Sequence, residues 1–179
     1  FAGFLDDNLQ ALDEFSIEAK VAGKISDYQA GENDYLICAI GSPEVKKEVC
    51  QSLIGKGGKF ISLIHPSAKL GRGSSIGKGS VICTNVVITC DVELGDFVMV
   101  NLSTTLGHDS KVGNWSTLSA HCDVTGFVEV GEMVFMGSGA RIIPRKTVGA
   151  SSTIGAGSVV IRDVPSKTSV FGNPARSIF

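Results

Sequence analysis

The side chains of this sequence best suited to catalysis or metal binding are its histidines and cysteines, and one histidine has a carboxylate beside it. His108 is followed directly by Asp109. A neighbouring carboxylate can fix the tautomer of an imidazole and make its free nitrogen a better proton acceptor. The pair therefore predicts a general base for an attacking amine or hydroxyl. An exposed histidine beside an exposed aspartate at a turn is the alternative, and the dipeptide alone does not separate the two.

The element that must position His108 is a repeat of six residues. An aliphatic residue opens every block from Ile64 to Val160, which makes 17 consecutive blocks without an insertion. A helix would show an apolar period of about 3.6 residues instead. The fifth residue of each block is small or β-branched, except at Lys146, and the second is often glycine. Two inward positions per block predict a parallel β-helix in which three strands close each coil of 18 residues.

The length of the coil determines which of the reactive side chains lie near each other. His65, His108 and His121 do not stack on neighbouring coils, so no three-histidine zinc site is expected within one chain. Cys122 falls at an inward small position and is expected to be a core thiol rather than a nucleophile. Because no Ser-His-Asp or Cys-His pairing indicates an acyl-enzyme, we expect direct attack within a ternary complex.

A charged residue interrupts the inward positions near the end of the repeat. A buried charge at Lys146 would be strongly destabilising unless paired, so we expect the coil to bulge there, close to Pro144. Arg141, Arg145 and Lys146 would then either contact ligand phosphates or form a solvated loop. The sequence leaves both roles open.

Residues 1–63 predict a Rossmann-like α/β domain. Apolar runs at Phe1–Leu5 and Tyr35–Ile40 are typical of buried parallel strands. No strand with a glycine-rich turn precedes Phe1, so we expect the printed sequence to begin partway into this domain. Ligands of such sheets lie beyond the carboxyl ends of the strands, which predicts a nucleotide or nucleotide-sugar pocket, with ordinary turn chemistry as the alternative. The residues at these ends are Asp6, Asp7 and Gly41.

A helix is predicted to follow the second of these strands. We expect it to begin at Pro43, with Ser42 as its N-cap, because proline suits the first helical position and serine the cap. Its buried stripe is expected to contain Val45, Val49 and Leu53, which recur at helical spacing.

Composition and charge narrow the classes of function. A formal net charge of −2 over 179 residues argues against nucleic acid or an anionic membrane as the main partner. The sequence has neither an apolar run long enough to span a membrane nor an opening secretory signal. Five cysteines without paired spacing favour a reducing compartment. We therefore expect a cytoplasmic protein.

Five segments of the chain resemble the bacterial hexapeptide-repeat sugar acetyltransferases, which include sialic acid O-acetyltransferases and UDP-4-amino-sugar N-acetyltransferases. The resemblance implies a left-handed β-helix, acetyl-CoA as co-substrate, no metal, and a homotrimer with the acetyl-CoA groove between subunits. It implies an α/β nucleotide-sugar domain at 1–63, the acetyltransferase β-helix at 64–165 and a C-terminal cap at 166–179. The five segments, which are distributed over nearly the whole chain, are Gly3–Asn8, Ala39–Gly41, Leu63–Ala68, Asn101–Asp109 and Gly172–Ala175.

The resemblance also implies roles for individual residues. His108 would be the general base, Asp109 would tune it, and Asn101 would help to position the acceptor. Relatives that act on UDP-amino-sugars can have a second histidine at the position of Thr117, where this chain offers only a hydroxyl. The Gly126 N–H would approach the thioester oxygen. The acetyl-CoA contacts would be Thr117, Gly126, Ser138 and Ala156. The nucleotide-sugar pocket would contain Asp6, Asp7 and Gly41.

The sequence therefore predicts an acetyltransferase that transfers acetyl from acetyl-CoA to the amine of a nucleotide-linked amino sugar. O-acetylation of sialic acid or another sugar hydroxyl is the alternative within enzymes. A non-catalytic β-helix that serves as a scaffold is the alternative from another class. The sequence does not identify the sugar, the nucleotide or the pathway.

Overall fold

The structure is a computed structural model that describes residues 1–178, and most of it is a parallel β-solenoid. One helix, α1, spans Pro43–Gly55, and short strands make up the rest of the regular structure. Phe179, the last residue of the predicted C-terminal cap, lies outside the described residues. The strands are β1 Phe4–Leu5, β2 Val21–Gly23, β3 Leu63–Ile64, β4 Lys69–Leu70, β5 Ser75–Ile76, β6 Val81–Ile82, β7 Val87–Ile88, β8 Glu93–Leu94, β9 Met99–Val100, β10 Thr105–Leu106, β11 Lys111–Val112, β12 Thr117–Leu118, β13 Asp123–Val124, β14 Glu129–Val130, β15 Phe135–Met136, β16 Arg141–Ile142, β17 Thr147–Val148, β18 Thr153–Ile154, β19 Val159–Val160, β20 Ser169–Phe171 and β21 Arg176–Ser177.

Strand pairing follows the predicted coil of three blocks. Thr105 of β10 pairs in parallel with Val87 of β7 on one side and with Asp123 of β13 on the other. Three sheets of six, five and eight strands result, one along each side of the solenoid. The prediction of a parallel β-helix is confirmed.

The aliphatic residue that opens each block lies in the core of the solenoid. From Ile82 onward, every residue that opens a block is buried, with at most 4% of its surface exposed. Three earlier ones are not. The exceptions are Ile64, Leu70 and Ile76, and all three lie in the first turn of the solenoid. That turn has no preceding turn to cover it, so its apolar side chains keep contact with solvent.

Three corners separate the three sheets, and each corner is a column of stacked turns. The His108 corner follows the six-stranded sheet and contains 71–73, 89–91, 107–109, 125–127 and 143–145. The Trp115 corner follows the five-stranded sheet and contains 77–79, 95–97, 113–115, 131–133 and 149–151. The Asn101 corner follows the eight-stranded sheet and contains 65–67, 83–85, 101–103, 119–121, 137–139 and 155–157.

Glycine recurs at the second position of the block because the turns stack closely there. A Cβ on Gly113 would lie 2.5 Å from the backbone nitrogen of Glu132, one turn along the solenoid. The left-handed conformation falls two residues later, where most corners have an ordinary side chain, such as Trp115 at φ 66°, and some have a glycine, such as Gly139 at φ 71°. Close backbone approach therefore explains the glycine at the second position of the block.

The expected bulge around Lys146 does not form. Thr147 of β17 still pairs with Glu129 of β14, which keeps the regular register of one full coil. Lys146 itself is only partly buried, so its charge keeps contact with water. The register changes after Val160 instead, where Ser169 of β20 pairs with Thr153 of β18 over a step shorter than a full coil.

Before the solenoid, regular structure is sparse, and the expected Rossmann-like sheet is not seen within residues 1–62. Strands β1 and β2 pair in parallel, and a single parallel bridge joins Leu36 to Phe60. The apolar run that predicted a fully buried strand is buried on one face only, since Tyr35 is 63% and Ile37 is 44% exposed while Cys38 is 6% exposed. In residues 1–178, no helix has the length and apolar character needed to cross a membrane.

Helix α1 begins as predicted but buries a different face. The Oγ of Ser42 accepts a hydrogen bond from the backbone N–H of Val45, and Pro43 occupies the first turn. The expected stripe is only partly right: Leu53 is buried at 5% exposure, but Val45 is 48% exposed, while Lys46 and Cys50 are buried. The helix lies against the solenoid, and the Lys46 ammonium finds hydrogen-bond acceptors there.

An aromatic cluster holds the residues around α1 against the Trp115 corner. The rings of Phe97 and Trp115 stack with their centroids 4.2 Å apart, and Phe60 contacts Phe97 edge-on at 5.2 Å. Cys38 and Cys50 pack into the same cluster. This contact places the N-terminal segment at a different corner from His108.

Candidate active site

His108 and Asp109 form a hydrogen-bonded pair at the surface of the His108 corner. The Nδ1 atom of His108 lies 2.8 Å from the Oδ2 atom of Asp109, and the two side chains are 53% and 44% exposed. An ionised carboxylate can only accept, so Nδ1 carries the proton of this bond. In the neutral imidazole, the unprotonated nitrogen is then Nε2, and its lone pair can accept a proton.

Gly126 lies one turn further along the solenoid and faces that nitrogen. A Cβ at this position would be 2.8 Å from Nε2 of His108, so only glycine leaves the imidazole its place. The carbonyl of Gly126 accepts a hydrogen bond from the backbone N–H of Arg145 at 3.2 Å. Its own N–H donates to no backbone or side-chain group within residues 1–178 and remains available for a ligand.

An aromatic ring and a cation continue this column above Asp109. The ring of Phe127 meets the imidazole of His108 edge-on, with centroids 5.0 Å apart and planes at 86°. The guanidinium carbon of Arg145 lies 4.3 Å from the centroid of Phe127. Sequence reasoning did not single out Phe127, although a step of one coil from Asp109 leads to it.

Three further predicted site residues occupy the Asn101 corner. Ser138 and Ala156 are exposed there, one turn apart. The Oδ1 atom of Asn101 accepts a hydrogen bond from the backbone N–H of Leu102 at 3.0 Å. Gly126, another expected acetyl-CoA contact, belongs to the His108 corner. The expected contacts are thus divided between two corners of the same chain.

Thr117, the fourth expected acetyl-CoA contact, is covered by helix α1. It is 2% exposed, and its Oγ1 accepts a hydrogen bond from the ammonium of Lys46 at 2.8 Å. The same ammonium donates to the carbonyl of Ser116 at 3.1 Å. Thr117 in this chain joins the helix to the solenoid. Because it is covered, we propose the acetyl-CoA contacts without it.

The residues expected to bind the nucleotide make local contacts. Asp6 accepts a hydrogen bond from the backbone N–H of Asn8 at 2.8 Å, and Asp7 accepts one from the N–H of Ser26 at 3.2 Å. A Cβ on Gly41 would meet no atom within 4 Å, so the backbone there is open. These residues and His108 come from separate parts of the chain.

A buried group of ionisable side chains lies beneath α1, and sequence reasoning missed it. Burial lowers the pKa of Lys46 to about 8. The thiol of Cys50 donates a hydrogen bond to Cys38, which lowers the pKa of Cys38 to about 7 and raises that of Cys50. A stripe drawn from apolar residues alone could not place a lysine on the buried face.

Cys122 is a core residue of the solenoid, as its inward position predicts. It is 1% exposed, and burial raises its pKa to about 11. Its Sγ lies 3.3 Å from the carbonyl oxygen of Gly137. Within residues 1–178, no group of three or more His, Cys, Asp or Glu side chains is arranged to hold a metal ion.

Two solved structures resemble this chain over most of its length. The acetyltransferase domain of PglB from Neisseria gonorrhoeae is 30% identical, with a TM-score of 0.90, over 98% of this chain and 86% of that one. PerB from Caulobacter crescentus, solved in complex with CoA and GDP-perosamine, is 29% identical, with a TM-score of 0.84, over 93% of this chain and 82% of that one.

Comparison with curated sequences adds a shorter match to an acetyltransferase. A serine acetyltransferase from Synechococcus elongatus is 36% identical over 116 residues, which is 65% of this chain and 42% of that protein. The chain spans only 19% of another relative, an uncharacterized protein of Acanthamoeba polyphaga mimivirus. No known family profile matches the sequence. The repeat, the corner histidine and the match to the PglB domain together show that this chain belongs to the hexapeptide-repeat family of sugar acetyltransferases.

Proposed function

We propose that this protein transfers the acetyl group of acetyl-CoA to the amine of a nucleotide-linked amino sugar. The observation that carries the proposal is the arrangement of His108, Asp109 and Gly126, which sets a free imidazole nitrogen beside an unused backbone N–H. PerB, which resembles this chain along most of its length, was solved with CoA and a GDP-linked sugar bound.

The chemistry assigned to these residues is a direct acyl transfer. The acceptor amine attacks the thioester carbonyl carbon while Nε2 of His108 takes its proton. Asp109 holds the opposite ring nitrogen and stabilises the imidazolium that forms. The N–H of Gly126 donates to the oxyanion of the tetrahedral intermediate. The carbon–sulfur bond then breaks, and the thiolate of CoA recovers the proton from His108.

The acceptor side of the proposal rests on the N-terminal segment. We assign the nucleotide sugar to Asp6, Asp7 and Gly41, with Asn101 as a further contact. The proposal includes an α/β nucleotide-sugar domain at 1–63, a left-handed acetyltransferase β-helix at 64–165 and a cap at 166–179. Five free cysteines support a reducing, cytoplasmic location.

A homotrimer with a shared groove is part of the same proposal. Gly126 lies on the His108 corner, whereas Ser138 and Ala156 lie on the Asn101 corner, so one chain presents them in different directions. A neighbouring subunit would bring its Asn101 corner opposite the His108 corner of the first. Closed symmetry repeats that contact at every interface and encloses the acetyl-CoA between subunits.

Replacement of the base tests the mechanism. His108→Ala should lower kcat for acetyl transfer by at least about 100-fold, the usual contribution of a general base. His65→Ala is the matched control, since it removes an exposed imidazole from the first turn of the solenoid, two turns before Asn101, and should keep kcat near the wild-type value. A wild-type kcat for His108→Ala in a folded protein would remove His108 as the base.

A panel of acceptors tests the assigned reaction against its alternatives. Transfer from acetyl-CoA is measured over UDP-, GDP- and dTDP-linked amino sugars and over free sialic acid. Turnover of a nucleotide sugar supports N-acetylation, and turnover of sialic acid alone would replace it by O-acetylation. The scaffold alternative requires that acetyl-CoA leave the melting temperature unchanged, whereas specific binding raises it.

A further inference from the structure

We propose that Arg145 binds the phosphate attached to the sugar of the acceptor and thereby sets the distance from that phosphate to His108. The inference rests on the proposed function, because it names which part of the nucleotide sugar this residue recognises. It concerns a residue outside the segments that resemble known sugar acetyltransferases.

Arg145 is anchored beside the base through both its backbone and its side chain. Its N–H donates to the carbonyl of Gly126, the residue that faces Nε2 of His108. Its guanidinium lies 4.3 Å from the centre of the Phe127 ring, and that ring contacts His108 edge-on. A cation stacked on an aromatic face has a defined position while the N–H groups at its rim stay free.

Within residues 1–178, the guanidinium of Arg145 contacts an aromatic ring and no carboxylate. Arg145 makes no ion pair with any carboxylate of residues 1–178. Asp163 follows Arg145 at the next turn of the column, but its Oδ1 accepts a hydrogen bond from the backbone N–H of Thr147 at 3.0 Å. A guanidinium fork without a carboxylate matches the geometry of a phosphate group.

The distance to His108 favours the acceptor as the source of that phosphate. The centre of the Phe127 ring lies 5.0 Å from the centre of the imidazole and 4.3 Å from the guanidinium carbon of Arg145. The distance from the guanidinium carbon to the imidazole centre therefore cannot exceed the sum of these two distances. In a 4-amino sugar, one pyranose ring separates the amine from the phosphate on the anomeric carbon. In acetyl-CoA, the whole pantetheine arm separates the thioester from the nearest phosphate, which would lie well beyond Arg145.

Steady-state kinetics with Arg145→Gln tests the proposal. Loss of a charge-assisted phosphate contact should raise KM for the nucleotide sugar about ten- to a hundredfold, with kcat nearly unchanged. Arg145→Lys keeps the charge without the fork and should be intermediate. Arg72→Gln, which removes an exposed arginine at the other end of the His108 corner, is the control and should retain the wild-type KM.

Two substitutions of substrate identify the source of the phosphate. With an acetyl thioester of N-acetylcysteamine, a donor without phosphates, the KM defect of Arg145→Gln should persist. With the free amino sugar as acceptor, the defect should vanish. A defect confined to acetyl-CoA would assign Arg145 to the donor, and an unchanged KM for both substrates would overturn the proposal.

Binding measured without the donor separates this inference from the proposed function. Calorimetry with UDP-, GDP- and dTDP-linked amino sugars reports on Arg145 even where acetyl transfer is absent. Tight binding to the wild-type protein and weaker binding to Arg145→Gln support the phosphate contact. Equal binding to both proteins rejects the contact while leaving the acetyl transfer reaction intact, and no binding to either rejects both.

Discussion

At the scale of single residues, the proposed active site depends on the absence of a side chain at Gly126. The imidazole of His108 occupies the space that any side chain at 126 would need, since a Cβ would lie 2.8 Å from Nε2. In the proposed site the glycine therefore has two effects: it leaves room for the imidazole, and its own N–H, unpaired within residues 1–178, is open to the substrate. A change at this position should alter catalysis more than stability.

Gly126→Ala tests this expectation. The added methyl group should displace the exposed imidazole and lower kcat by roughly 10- to 100-fold, because misplacement of a catalytic group by about 1 Å has effects of this size. The melting temperature should change little, since the ring can rotate toward solvent. Gly55→Ala is the control, because its Cβ would meet no atom within 4 Å. A wild-type kcat for Gly126→Ala would contradict the role of the glycine.

The repeat predicted some residue positions by simple arithmetic. The buried place of Cys122 and the stacking of His108 with Gly126 both follow from the length of one coil. The same arithmetic could have placed Phe127 and Arg145 above Asp109. The burial of Thr117 could not be predicted in this way, because it depends on how a helix outside the repeat packs against the solenoid.

At the scale of elements, helix α1 shows the limit of reading amphipathicity from apolar residues. Its cap at Ser42 was predictable, since serine before proline is a local signal. Its buried face was not, because Lys46 turns inward to reach two oxygens of the solenoid. The strand expected within Phe1–Leu5 forms as β1, but the one expected at Tyr35–Ile40 was over-predicted, because an apolar run does not show whether other strands cover it.

Lys46 makes stability depend on pH. Burial holds its pKa at about 8 in the folded protein, against 10.5 for an unperturbed lysine. Below about pH 8 the buried ammonium is charged and the full penalty of burial is present. Between pH 8 and pH 10.5 the unfolded state binds more protons at Lys46 than the folded state does, so the contribution of Lys46 to stability rises with pH. The total effect is on the order of 3 kcal/mol at most.

Chemical denaturation across this range provides the measurement. The free energy of unfolding of the wild-type protein should rise relative to that of Lys46→Met as the pH increases from about 8 to about 10.5. Lys47→Met, which removes a neighbouring lysine of the same helix, is the control. A constant difference between wild type and Lys46→Met over this range would contradict the assignment.

At the scale of the whole molecule, the proposed site is complete only in an assembly. We expect light scattering to give three times the mass of one chain in solution. Two defective variants should then restore each other when co-expressed: His108→Ala disables one corner and Ala156→Trp obstructs the other. Mixed trimers contain some interfaces in which both corners are wild type, so part of the activity should return. No recovery in a confirmed mixed trimer would place the whole site within one subunit.

The fixed strand register has a consequence for how the chain folds. Strands β3 to β19 pair with one another one coil apart, so each step of folding along them closes a loop of the same modest length. An all-β protein built in this way avoids the distant pairings that slow most sheet proteins. The aromatic contacts of Phe97 and Trp115 with the N-terminal segment favour a nucleus in the middle turns. We expect the solenoid to grow from there toward both ends, one turn at a time, so that the turn containing His108 forms early.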